Sequence, residues 1–274
     1  MWIVGDVVVA TAQEYRDCRR RDTYIMTMPS YRSFIIAPLV FASILLLGCA
    51  TGTANTGATG DQTASSADAP RHSAALLLDP SNPEWRRPAP AKSHLRFETT
   101  KGVFVLELVR AWVPIGADRF YNLARLGYYD DTRFHRVSPG YIVQWGINGN
   151  PAVNAAWKNQ EIADDPPRSH NVRGTYAFSQ FPPSSGRTNT RNTQIYINLK
   201  DNLRNDREPF TVLGTVVEGM DVLDSLYSGY GEKSGGGVRQ GKQGPLMEGG
   251  NAFMDREYPK LDRILRVTVT TVER

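Results

Sequence analysis

Residues 132–146 read TRFHRVSPGYIVQWG, and the character of the chain follows from them. Two β-rich pieces, RFHRV and YIVQWG, flank a Ser138-Pro139-Gly140 break. An arginine inside one strand and a glutamine inside the next are unusual choices for a plain core strand. By the period of two, Ile142 and Gln144 share a face. The same texture continues outward on both sides. Upstream, LRFETTKGVFVLELV forms two strand-like runs around Thr100-Lys101-Gly102, a hairpin signal. Phe104, Leu106 and Leu108 alternate there with Val103, Val105 and Glu107. Pro114 then opens a helical spacing through Phe120, Leu123 and Ala124, stopped by Gly127. Downstream come the short β-rich pieces GTYAFS, TQIYINL and FTVLGTVV. A second helix, EGMDVLDSLY, places Met220, Leu223, Leu226 and Tyr227 on one stripe. A Gly-rich excursion over 229–250 precedes a last strand, ILRVTVTTV. Many short strands with two helices predict a mainly β fold, an antiparallel barrel rather than a βαβ sheet.

Composition permits such a core. Of 274 residues, 41% are hydrophobic and 22% charged, which excludes wholesale disorder. The formal net charge of +4 is small for this length, and no basic block suggests a nucleic-acid footprint. Cys18 and Cys49 both precede residue 50, so a disulfide scaffold, a Cys-metal site and a Cys nucleophile are excluded for the folded part.

The N-terminal region reads as an address. Residues 28–49 are MPSYRSFIIAPLVFASILLLGC, with Arg32 ahead of an apolar run from Phe34 to Leu47. That run is too short to span a bilayer and is interrupted by Pro38, so 28–48 reads as a signal peptide. Gly48 directly before Cys49 resembles the lipobox of bacterial lipoproteins, which implies acylation of Cys49 and a membrane lipid anchor. Ala50 at the next position favours the periplasmic face of an outer membrane, by resemblance to the sorting rule of Gram-negative lipoproteins. Residues 1–27 read as an extension upstream of the true start, at Met28 or Met26. Residues 49–93 read as the acylated cysteine and a flexible tether. In 50–70, 16 of 21 residues are Ala, Thr, Gly or Ser, too little apolar surface to offset chain entropy. Trp85 is the lone aromatic of the Pro- and Arg-rich part that follows. The folded domain is expected over 94–274.

Several chemistries are absent from that domain. His94, His135 and His170 form no HxH or HExxH pair, and there is no GxSxG elbow or P-loop. The glycines of GYGEKSGGGVRQGKQG lack the strand-to-helix context of a dinucleotide site and read as a loop. Asp164-Asp165 precede two prolines and read as a turn rather than a catalytic dyad. No metal and no cofactor is expected. What remains is a polar and aromatic strand face. In TQIYINL, Ile195, Ile197 and Leu199 belong to the core, while Gln194, Tyr196 and Asn198 form an outward surface suited to a peptide.

FHRVSPGYIVQWG, followed in order by GTYAFS, NTQIYINL and FTVLGTVVEGMDVLDSLY, resembles the cyclophilin-type peptidyl-prolyl cis–trans isomerases. The likeness runs from about Leu95 to Arg274, and the FHR-x-x-PG-aromatic-x-x-Q element is highly specific. It implies a closed eight-stranded antiparallel barrel capped by two helices, with a substrate groove on its outer surface. Arg136 matches the family's catalytic arginine. Tyr141 and Ile142 match the proline pocket, and Gln144 the polar residue beside the arginine. Gln194 and Tyr196 match the facing strand, while Leu203 and Phe210 fall where the pocket is completed. His135 is a family residue as well, expected as a buried packing and hydrogen-bonding group.

The match departs from the family in places. Tyr141 and Tyr196 stand where Phe is commoner. Leu203 stands in place of a Trp that by resemblance supports cyclosporin binding, so weak inhibition is expected. Phe210 stands in place of a His. After GTYAF, the stretch SQFPPSSGRTNTRNTQ is about five residues longer than usual, with Ser179 and Gln180 at the positions that supply backbone contacts to substrate. The resemblance implies an isomerase of X-Pro bonds; with the lipobox it is expected to act on folding envelope proteins, as a monomer. The alternative is a non-enzymatic module or chaperone that grips proline-containing segments on the cell envelope.

Overall fold

A computed structural model describes residues 74–181, 185–208, 210–233 and 243–272. Residues 1–73, with the expected signal peptide over 28–48 and Cys49, lie outside them. Eight strands form one antiparallel sheet. They are β1 (Lys92–Thr99), β2 (Gly102–Val109), β3 (Arg136–Ser138), β4 (Ile142–Trp145), β5 (Thr175–Phe178), β6 (Ile195–Asn198), β7 (Val212–Glu218) and β8 (Ile264–Thr271). Their order is β3-β4-β6-β5-β7-β2-β1-β8. The sheet wraps as a half-barrel, and its edges approach just ahead of β3. There Arg133 bridges Arg263, with Phe134 N donating to Asp262 O at 3.0 Å and Ile264 N to Thr132 O at 2.9 Å.

The alternation read in β2 is the cause of its burial. Phe104, Leu106 and Leu108 point into the core with no exposed surface. Phe97 on β1 stacks on Phe104 with centroids 4.7 Å apart. Trp145 closes this cluster edge-on against Phe97, Phe104 and Phe134. Aromatic pairs of this kind are worth about 0.5–1.5 kcal/mol each beyond the area they bury.

The helices exceed the two expected. α1 (Ala74–Leu78), α2 (Pro114–Arg125), α3 (Pro151–Trp157), α4 (Met220–Asp224) and α5 (Gly244–Glu257) are present among the described residues. α2 is the helix read after Pro114. α4 is the one read at EGMDVLDSLY, but it is only five residues long. α5 occupies the end of the expected Gly-rich loop and is broken internally by Gly250, at φ 55°.

The expected tether also ends early. Residues 74–91 pack on the domain, and Trp85 is 6% exposed. Its ring lies edge-on to Trp157 of α3 at 4.7 Å, and its indole N–H donates to the carbonyls of Leu76 and Asp79. Asn122 of α2 donates to Arg87 O at 2.7 Å. An aromatic in a polar run found its partner across the fold, so composition misjudged this part of the segment. Among the described residues no helix is long and apolar enough to cross a membrane.

Candidate active site

The Ser138-Pro139-Gly140 break turns β3 back onto β4, and the register sets Arg136 directly opposite Gln144. β6 pairs on the other side of β4 and sets Gln144 opposite Tyr196. Pairing alone thus aligns three residues far apart in sequence on one sheet face. Arg136 Nη1 donates to Gln144 Oε1 at 3.3 Å. The Gln144 amide nitrogen donates to Ser179 Oγ at 3.1 Å and to Gln194 Oε1 at 2.8 Å. Gln194 in turn donates to Gln243 Oε1. The Arg136 guanidinium sits 5.6 Å from the centre of the Tyr141 ring and is 8% exposed as a residue. Its charge partner is Glu232, whose Oε1 accepts from Nη2 at 2.7 Å and from Nε at 3.2 Å.

Beside this polar row lies an apolar patch separate from the main core. Ile142, Ala177 and Tyr196 form it, with Tyr141 and Phe210 packed against them. Phe210 meets Tyr196 edge-on at 5.8 Å. The Tyr196 hydroxyl donates to Asn171 Oδ1 at 2.8 Å, and burial drives its pKa upward, so it stays neutral. Tyr141 OH accepts from Arg204 at 2.8 Å. The hydroxyls that distinguish these two tyrosines from phenylalanine are both engaged.

The structure therefore gathers Arg136, Tyr141, Ile142, Gln144, Ser179, Gln194, Tyr196 and Phe210. Leu203 is not among them. It opens the 3-10 turn Leu203–Arg207 and is 54% exposed, because the turn directs it to solvent rather than onto the patch. Gln180 borders a neighbouring cavity of about 810 Å³, shared with Phe181, Gln194, Gln243 and Met247, and among the described residues its enclosed amide atoms have no hydrogen-bond partner. The outward surface expected of Tyr196 and Asn198 is in fact closed over. Asn198 is fully buried and donates to Asn171 and Thr175.

His135 is fully buried, as its position on the core side of Arg136 requires. Burial, and then the neighbouring Arg136 cation, push its pKa down to about 3, so it is a neutral packing group. Asp164 and Asp165 are more than a turn. Asp165 Oδ2 accepts from Arg191 Nη2 at 2.9 Å, and its oxygens accept from the backbone N–H groups of Ile115 and Gly116. Among the described residues no three His, Cys, Asp or Glu side chains gather to hold a metal ion.

Sequence reasoning missed Glu232, Gln243, Asn171 and Arg204. Glu232 and Gln243 sit in the glycine-rich stretch, where nothing in the local pattern distinguishes a site residue from a loop residue. Asn171 and Arg204 lie outside the quoted motifs.

The family model described as "Cyclophilin type peptidyl-prolyl cis-trans isomerase/CLD" matches residues 94–243. The chain is 32% identical over 146 residues to peptidyl-prolyl cis-trans isomerase A of Dickeya dadantii, covering 50% of this chain and 73% of that protein. It is 30% identical over 143 residues to the peptidyl-prolyl cis-trans isomerase of Acinetobacter baylyi, covering 50% and 72%. A crystal structure of a cyclophilin type peptidyl-prolyl cis-trans isomerase from Cryptosporidium parvum aligns with TM-score 0.47 and 17% identity, over 66% of this chain and 99% of that one.

Proposed function

Since this chain belongs to the cyclophilin-type peptidyl-prolyl cis–trans isomerases, we propose that Arg136 is the cation that accelerates rotation about X-Pro bonds in its groove. The barrier to that rotation is about 18–20 kcal/mol and comes from amide resonance. No bond is made or broken, so the site needs neither a nucleophile nor a general base. A guanidinium is a fixed cation with donors only, so it serves here as a hydrogen-bond donor and not as an acid. Its guanidinium donates a hydrogen bond to the prolyl nitrogen as that atom pyramidalises, which weakens conjugation and favours the twisted state. Ile142, Ala177, Tyr196 and Phe210 hold the ring, while Gln144 fixes the arginine and the flanking peptide turns. Lowering the barrier by about 7–8 kcal/mol gives a 10⁵- to 10⁶-fold acceleration.

The observation that carries this reading is the Arg136–Gln144–Gln194 row running beside an apolar patch. The finer architecture we propose is a sheet closed into a barrel at the Arg133–Arg263 bridge, with α2 and α4 as its end caps. The test is a cis-to-trans assay on an Ala-Pro-Phe peptide with the full chain and its Arg136→Ala variant. A fast wild type and a slow variant support the assignment, and equal rates overturn it.

The Phe34–Leu47 run and Gly48-Cys49 support a lipid-anchored enzyme of the cell envelope, on the periplasmic face of an outer membrane, acting on envelope proteins as they fold. Cys49→Ser is expected to move the protein from the membrane pellet to the soluble fraction. Retention in the pellet counts against the anchor.

A further inference from the structure

Arg136 is held from two sides, and one of them comes from the glycine-rich stretch. The 3-10 turn Gly231–Lys233 carries Glu232 to the guanidinium. The turn is itself pinned. Tyr230 packs edge-on between Tyr227 at 5.1 Å and Tyr258 at 5.2 Å, and its hydroxyl accepts from Lys260 N at 3.4 Å. Gly231 takes φ 52°, a left-handed conformation in which glycine pays no steric penalty. The Glu232 side chain keeps 39% of its surface, yet Oε2 is enclosed without a hydrogen-bond partner. Among the described residues the carboxylate is thus held in place by Arg136.

A guanidinium carries five N–H donors. Glu232 Oε1 takes the Nε donor and one on Nη2, while Gln144 Oε1 takes one on Nη1. Among the described residues, one donor on each terminal nitrogen is left over. Gln144 can present its oxygen because its amide nitrogen is spent on Ser179 and Gln194. An arginine side chain is rich in rotamers, so fixing it before the peptide arrives removes an ordering cost from the reaction.

We propose that Glu232 is a positioning residue for the isomerisation. It clamps the Nε–Nη2 edge of Arg136, so that the remaining terminal N–H donors are aimed at the bound X-Pro segment. This rests on Arg136 being the catalytic cation. The opposite role, a brake that competes with the peptide for the guanidinium, predicts the reverse kinetics.

The experiment compares the full wild-type chain with Glu232→Ala, Glu232→Gln and Arg136→Ala. Turnover and KM on an Ala-Pro-Phe peptide are measured, with the Arg136 Nε–H resonance followed by NMR. Glu232→Ala is expected to lower kcat roughly tenfold with KM within about twofold, the signature of a misplaced catalytic group. Glu232→Gln keeps an acceptor oxygen and recovers most of the loss. The Nε–H signal is sharp in wild type and in Glu232→Gln, and is lost in Glu232→Ala. An unchanged or faster Glu232→Ala beside a slow Arg136→Ala overturns the positioning role alone. An Arg136→Ala variant as fast as wild type removes the premise and overturns the proposal with it.

Discussion

Arg136 and Arg191 are both buried arginines bound to carboxylates, and their surroundings differ. Arg191 is 1% exposed and so is its partner Asp165. Its Nη2 also reaches the carbonyl of Ala163, and Asp164 lies 3.4 Å from its Nε. Asp165 goes on to accept two backbone N–H groups at the start of α2, where an anion suits the helix dipole. Gly116 leaves the room this requires, since a Cβ there would lie 2.8 Å from Arg191 Nη1. This cation ties the segment after Phe178 to α2 and the 163–165 loop. Arg136 lies on a sheet face, and its carboxylate partner is half exposed. Unspent donors do not separate the two, since among the described residues Nε and Nη1 of Arg191 have no hydrogen-bond partner. The exposure of the partner does: Asp165 is sealed in with Arg191, while Glu232 keeps 39% of its side-chain surface.

The comparison can be broken at either arginine. The largest effect is expected from Asp165→Ala, which strands the buried Arg191 charge and two helix N–H groups. A stability loss of about 3–5 kcal/mol in urea unfolding is expected. A loss under about 1 kcal/mol would mean that Arg191 finds water, and that the two arginines are less different than described. Arg136→Ala is expected to cost about 3 kcal/mol of transition-state stabilisation, a slowing of at least about 100-fold. Its unfolding midpoint should barely move, because the stranded Glu232 is half exposed. A large midpoint shift would make Arg136 a second Arg191.

The smallest expected effect, about 2 kcal/mol between pH 6.5 and pH 5, is at His135. Its folded pKa, about 3, is below the ordinary His value, so the unfolded chain binds the extra proton. Stability is then complete above about pH 6.5 and falls as pH drops, by about 1.4 kcal/mol per unit down toward the folded value. The urea midpoint should decline from pH 7 to pH 5, and His135→Gln should flatten that slope. Equal slopes in both proteins would show that His135 is already solvated.

The strands were legible because a period of two imprints burial directly on sequence. Phe104, Leu106 and Leu108 alternate in the chain and are buried in the fold. α3 was not legible, since seven residues are too few to display a helical period. α5 was hidden by Gly249 and by Gly250, whose φ of 55° breaks it. Trp85 looked like part of a tether because its partner, Trp157, is 72 positions away in the chain and on that unread helix. The candidate site residues came from the family resemblance rather than from alternation. Strand pairing then set Arg136, Gln144 and Tyr196 at facing register positions, which puts them on a common face. Leu203 was misplaced because a turn, unlike a strand, does not dictate side-chain direction from its neighbours.

The sequence by itself determined the strand set and the absence of cysteine after residue 49, and its motifs carried the resemblance that singled out Arg136 with its amide and aromatic company. Strand periodicity and residue type are properties of local order. Only the tertiary structure decided that Glu232 reaches Arg136 from 96 positions away, that Asp165 belongs to Arg191, and that residues 74–91 lie against the domain. Each is a meeting of segments whose local patterns carry no mark of the partner. Charge pairing and aromatic packing act through space, and folding alone sets which groups come within reach.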